Sequence, residues 1–195
     1  MKRRTLFQSV AALLLARPFA RSTLAAPPQA ALSAGDIATL HAIGDVVLPD
    51  AIGGDGKQLV VDRFVAWVKN YREGADMGHG YGASTLRRPS GPSPALRYPP
   101  QVTALDQAAA AMGAKTFASA SRDQRVSLVE ARLNEPERVT RLPAQPTGAN
   151  LIADLMGFYF NSPDARDLCY QRAIGADRCR SLDGSEQEPA RLRGR

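Results

Sequence analysis

The sequence has little of what a cofactor or metal site requires. It contains two cysteines and two histidines in 195 residues, and no C-x-x-C-H motif, so covalently attached haem is excluded. His41 and His79 lie far apart in the sequence and make a poor metal site. The stretch Gly78 to Gly82 (GHGYG) has G-x-G-x-G spacing and no preceding strand, which argues against a dinucleotide-binding fingerprint. We therefore expect no cofactor in this chain.

Long apolar runs and alternating patterns are also missing. The apolar stretch Val10 to Ala16 is about seven residues, whereas a helix needs roughly 20 to span a bilayer. This stretch is therefore not a transmembrane anchor. Nowhere do apolar and polar residues alternate long enough to predict a strand. The predicted fold class is all-α, a single irregular domain of about six helices.

The first 25 residues are typical of an export signal. Lys2 to Gln8 (KRRTLFQ) looks like a twin-arginine motif, in which Arg3, Arg4, Leu6 and Phe7 carry the pattern. An apolar stretch and a small-residue cleavage site follow, and we expect cleavage after Ala25. An ordinary secretion signal with a chance arginine pair is the alternative. This leader predicts a periplasmic protein.

Removing the leader changes the charge of the protein. The full chain has a formal net charge of +6, but residues 1–25 hold five of its 25 basic groups and no acid. The mature chain would therefore carry 20 basic and 19 acidic groups, a net charge of +1. A nucleic-acid partner is not supported, because such proteins usually have a strongly basic surface. The arginines at 87–88 and 191–195 are interpreted as solvated loop and tail.

Helix-capping residues and helical periodicity predict the six helices of residues 26–182. Residues 183–195 are charged and poor in apolar side chains, so we expect a disordered tail. The predicted helices run from Ser33 to before Pro49, Val60 to Glu73, Pro100 to Met112, Ser121 through Leu133, Asn150 to Phe160, and from Ser162 past Cys169.

One connection is unusually long. Residues 74–98 include five glycines and three prolines, and loops of this length are usually functional or disordered. One interpretation is partner recognition by His79 and Tyr81 together with Trp67 and Tyr71, because aromatic side chains anchor protein interfaces. A second is a catalytic loop using Asp76, His79 and Tyr81 as base, proton shuttle and hydroxyl. A third is an Ω-like loop packed over its own core.

The two cysteines, Cys169 and Cys179, are predicted to form a disulfide. An exported protein reaches an oxidising compartment, where disulfides persist. The bond would tie the C-terminal segment to the preceding helix. Two free thiols, or a bond to another chain, are the alternatives.

Four stretches resemble the gluconate 2-dehydrogenase subunit 3 family. They are LSAGDIATLHAIGDVVLPD at 32–50, FVAWVKNY at 64–71, YREGADMGHGYG at 71–82 and FYFNSP at 158–163. The resemblance covers most of Leu32 to Cys179. It consists of packing and turn residues rather than a catalytic signature.

The resemblance implies a small, helical, non-catalytic subunit of a periplasmic flavin-dependent sugar or sugar-acid dehydrogenase. FAD would reside in a large partner subunit, similar to glucose-methanol-choline oxidoreductases, and haem c in a cytochrome subunit. The leader on this chain would export both folded subunits through the twin-arginine translocase. A stand-alone periplasmic enzyme, or a disulfide-stabilised helical module with an unrelated partner, are the alternatives.

Overall fold

The computed structural model describes residues 32–71, 92–175 and 184–192. Within these ranges the chain forms six α-helices and no strand, which confirms the predicted all-α class. Three short 3-10 turns, Asp50–Ile52, Pro94–Arg97 and Phe117–Ser119, join some of them. The helices are α1 (Ala34–Val47), α2 (Gly53–Asn70), α3 (Tyr98–Ala111), α4 (Arg122–Asn134), α5 (Leu151–Phe160) and α6 (Pro163–Tyr170).

Four helices begin where a capping side chain predicts them. Ser33 and Asp36 form a capping box at α1, since the Asp36 amide donates to Ser33 Oγ and the Ser33 amide donates to Asp36 Oδ2. Ser121 and Gln124 do the same at α4. Asn150 caps α5, and Ser162 caps α6 with Pro163 as its first residue. Such caps satisfy amides that the helix itself leaves unpaired.

Helix α2 begins seven residues before the predicted start at Val60. The additional turns contain Gly53, Gly54 and Gly56, which are weak helix formers. Tertiary contacts stabilise them, because buried Lys57 donates to the backbone oxygen of Asp45 at 2.9 Å and to Asp50 Oδ1 at 2.6 Å. Lys57 thereby joins the start of α2 to the C-terminal end of α1, where the helix dipole favours a cation.

The core lies where α1, α2, α3 and α5 meet. Helix α1 packs closely on α2, because a Cβ at Gly44 would lie 2.7 Å from Val61 Cγ2. His41 lies on this contact, with its Nε2 3.3 Å from Asp62 Oδ1. Among the described residues, the largest fully buried side chains are Tyr98, Tyr159, Phe64, Phe117, Leu40, Ile43, Leu105, Leu151, Ile152, Leu155, Val61 and Val68.

The segment 135–150, here called the strap, connects α4 to α5 without regular structure. Side chains hold it on α3 and α5: Gln101 Nε2 donates to the oxygen of Gly148 at 2.9 Å, and Asn161 Nδ2 donates to that of Pro143 at 3.2 Å. The strap is therefore fixed along its C-terminal half.

Candidate functional site

Two half-buried aromatic side chains, Trp67 on α2 and Phe158 on α5, lie side by side with ring centroids 6.4 Å apart. We call this pair the aromatic surface. Phe64, fully buried beneath it, contacts Phe158 edge to face at 5.5 Å and Tyr98 at 5.8 Å. Because the surface rests on core aromatic rings, packing holds its two side chains in place.

Trp67 and Tyr71, predicted together as partner-binding residues, do lie together. Their rings meet edge to face at 5.4 Å, as expected for residues four apart on a helix. Tyr71 is only 8 % exposed, so its ring supports Trp67 from within. Phe158 takes the neighbouring position at the surface, a role the sequence analysis did not assign to it.

The other predicted site residues fall outside the described ranges. These are His79 and Tyr81 of the recognition loop, Asp76 of the alternative catalytic loop, the signal residues Arg3, Arg4, Leu6 and Phe7, and the cleavage residue Ala25. Cys169 is exposed near the end of α6 and forms no disulfide with a described residue, while Cys179 lies outside the described residues. The disulfide stays a prediction.

A second feature, missed in the sequence analysis, is a buried carboxylate on α5. Asp154 is 1 % exposed and accepts four hydrogen bonds. Oδ2 accepts from Tyr98 Oη at 3.0 Å and from the amide of Gly148 at 2.7 Å. Oδ1 accepts from the amide and hydroxyl of Thr147 at 3.1 and 3.4 Å. Asp154 thus joins α5, α3 and the strap at one point.

Burial sets the acid-base properties of this cluster. Desolvation raises the pKa of the Asp154 carboxyl above its ordinary value, although the donors from Thr147, Gly148 and Tyr98 oppose the shift. Burial, with the neighbouring Asp154, likewise raises the pKa of the Tyr98 hydroxyl. One signal in the sequence could have located the cluster, since Asp154 is the only charged residue in the apolar helix LIADLMGFYF.

The shift at Asp154 predicts an unusual pH dependence. Because its folded pKa is raised, the folded state binds more protons than the unfolded state between the two pKa values, and stability decreases as pH rises through that window. We expect the unfolding free energy of the wild type minus that of Asp154→Asn to fall with rising pH above about 4, by at most about 1.4 kcal/mol per pH unit.

Urea denaturation across pH, followed by the fluorescence of the single tryptophan, measures this difference. Subtracting the free energy of the variant cancels the pH dependence of carboxyls whose pKa shifts in the opposite direction. Asp50 is one of them, because its hydrogen bond and ion pair with Lys57, and the nearby Arg122, lower its pKa. A difference that stays constant or rises with pH would show that folding does not raise the pKa of Asp154.

Within the described residues, no cluster of three or more His, Cys, Asp or Glu side chains could hold a metal ion. In the same ranges no helix has both the length and the apolar character needed to cross a membrane. The polar cluster at Asp154 is enclosed, so the aromatic surface is the better candidate for contact with another molecule.

Comparison with known proteins adds no family to this picture: no family model, curated protein or solved structure matches the chain. The family resemblance therefore depends on the four sequence stretches alone.

Proposed function

We propose that this protein is the non-catalytic small subunit of a periplasmic FAD-dependent sugar or sugar-acid dehydrogenase. It would supply the twin-arginine export signal and stabilise the large flavoprotein subunit. FAD would be held by that partner and haem c by an electron-transfer subunit. One observation carries the proposal: two of the stretches that resemble the subunit 3 family, 64–71 and 158–163, meet in space at the aromatic surface.

The chemistry of this surface suits a protein partner. Tryptophan and other aromatic side chains dominate the binding energy of protein interfaces. Trp67 and Phe158 are already fixed by Phe64 and Tyr71, so little side-chain entropy would be lost on binding. Both contribute apolar area and neither has an ionisable group. The surface therefore supports docking better than acid-base catalysis.

The export half of the proposal depends on Arg3 and Arg4. The twin-arginine route carries folded proteins, which would explain why a chain expected to hold no cofactor uses it: its cargo would be a partner already folded around FAD. Isolating the protein from the periplasm of its native host should give a yellow complex with a large subunit. Replacing both arginines with lysine should remove both proteins from the periplasm.

The aromatic surface is tested by Trp67→Ala. We expect at least a roughly tenfold loss of co-isolated flavin, since interface hot spots contribute about 2 kcal/mol or more. Phe160→Ala is the matched control, because Phe160 is an exposed aromatic residue on α5, 45 % accessible, outside the pair. Circular dichroism must show that both variants are folded. A colourless protein isolated alone, or equal flavin in the two variants, contradicts the proposal.

A further inference from the structure

The C-terminal segment 184–192 returns to the end of α6 and forms a cavity there. Gln171 ends the helix in the left-handed region, with φ of 50°. The amide of Ala173 then donates to the oxygen of Ala190 at 2.8 Å, and the amide of Leu192 donates to that of Gln171 at 3.2 Å. A segment predicted to be disordered thus makes an antiparallel contact, because backbone bonds and an ion pair compensate for its few apolar residues.

The cavity is an open surface hollow with a volume of about 540 Å³, and small-molecule sites usually have volumes of roughly 300–1,000 Å³. Its apolar part consists of Tyr170, Ile174 and Pro189. The Tyr170 side chain is available to a ligand, since the residue is 67 % exposed. Its polar part includes two guanidinium groups, from Arg172 and Arg191, and one carboxylate, from Glu188.

The charges of the cavity are not balanced. Nε of Arg172 donates to Glu188 Oε1 at 2.9 Å, and its NH2 donates to the same oxygen. The guanidinium of Arg191 makes no ion pair with any described residue. One positive charge is therefore left over, beside a guanidinium that already holds a carboxylate.

We propose that this cavity binds a small organic monocarboxylate with a flat apolar body. The carboxylate would pair with Arg191, because a guanidinium presents two parallel donors that match carboxylate geometry. The body would lie against Tyr170, Ile174 and Pro189. A single negative charge neutralises the cavity, whereas a dianion such as hydrogen phosphate would leave it with a net negative charge. The site is built from elements other than the aromatic surface and is independent of the proposed function.

Ligand-observed ¹⁹F NMR on the purified full-length chain tests the site, with 4-fluorobenzoate as the probe and 4-fluorobenzyl alcohol as its neutral counterpart. We expect the ¹⁹F signal of 4-fluorobenzoate to broaden saturably, with a dissociation constant in the millimolar range. The signal of 4-fluorobenzyl alcohol should not broaden. Arg191→Gln should weaken binding roughly tenfold, and Tyr170→Ala by a smaller factor.

Arg166→Gln is the matched control, since Arg166 is an exposed arginine on α6 outside the cavity lining. It should bind the probe as the wild type does, and circular dichroism should show all variants folded. The proposal is overturned by an absence of saturable binding, by equal binding of the alcohol, by unchanged binding in Arg191→Gln, or by displacement of the probe by inorganic phosphate at equal concentration.

Discussion

Replacing Asp154 with alanine is expected to lower the free energy of unfolding by about 3 kcal/mol. The variant leaves the buried Tyr98 hydroxyl and the buried Gly148 amide without their acceptor, and an unsatisfied buried donor costs about 1–3 kcal/mol. Removing the carboxylate also relieves its desolvation, which offsets part of the loss. Urea denaturation at neutral pH measures the result.

The control for this prediction is Asp164→Ala. Asp164 also accepts a hydrogen bond from another helix, since Arg63 on α2 donates to it at 2.6 Å, but its side chain is 59 % exposed. Exposed ion pairs contribute at most about 1 kcal/mol, so this variant should lose much less stability. Equal losses in the two variants would mean that the buried Asp154, between α3, α5 and the strap, stabilises the fold no more than an exposed ion pair does.

A double-mutant cycle measures how much of this stabilisation comes from the hydrogen bond between Tyr98 and Asp154. If Tyr98 and Asp154 act through their hydrogen bond, the loss in Tyr98→Phe combined with Asp154→Ala should be smaller than the sum of the single losses by about 0.5 kcal/mol or more. Tyr98→Phe removes only the hydroxyl and keeps the ring that contacts Phe64. Strict additivity would assign the stabilisation to the strap amides alone.

The helix ends show which features of the fold can be predicted from the local sequence. Ser33, Ser121, Asn150 and Ser162 begin their helices as predicted, because a capping bond joins residues two or three apart and is visible in the sequence. The start of α2 was predicted too late, because its first turns are stabilised by Lys57 donating to oxygens at positions 45 and 50. The local sequence does not reveal those contacts. Tertiary contacts there override weak propensity.

The candidate site was likewise only partly predictable from the local sequence. Trp67 and Tyr71 lie four apart on one helix, so their contact follows from periodicity. Phe158 joins them from another helix, 91 positions beyond Trp67 in the numbering, and no local pattern gives that pairing. Asp154 is harder still, because its donors come from position 98 and from the strap at once.

Substituting Gly157 with alanine should destabilise the protein by roughly 2–3 kcal/mol, the cost of overpacking a filled site. A Cβ there would lie 2.4 Å from the backbone oxygen of Pro143 and 3.2 Å from its ring. A backbone oxygen cannot rotate away as a side chain can, so the strap would have to move off α5. The bond from Asn161 to that same oxygen would be strained as well.

The sign of this result is informative because helix propensity acts in the opposite direction. In an exposed helix, alanine is more favourable than glycine by about 1 kcal/mol. Gly54→Ala, in the first turn of α2, is the matched control, since a Cβ built there has no atom within 4 Å apart from those of its chain neighbours and the local helix backbone, and it should leave stability unchanged or raise it. If Gly157→Ala behaved like Gly54→Ala in urea denaturation, the strap would not be packed on α5 in solution. A loss confined to Gly157→Ala would identify that backbone contact as the feature requiring glycine in the middle of α5.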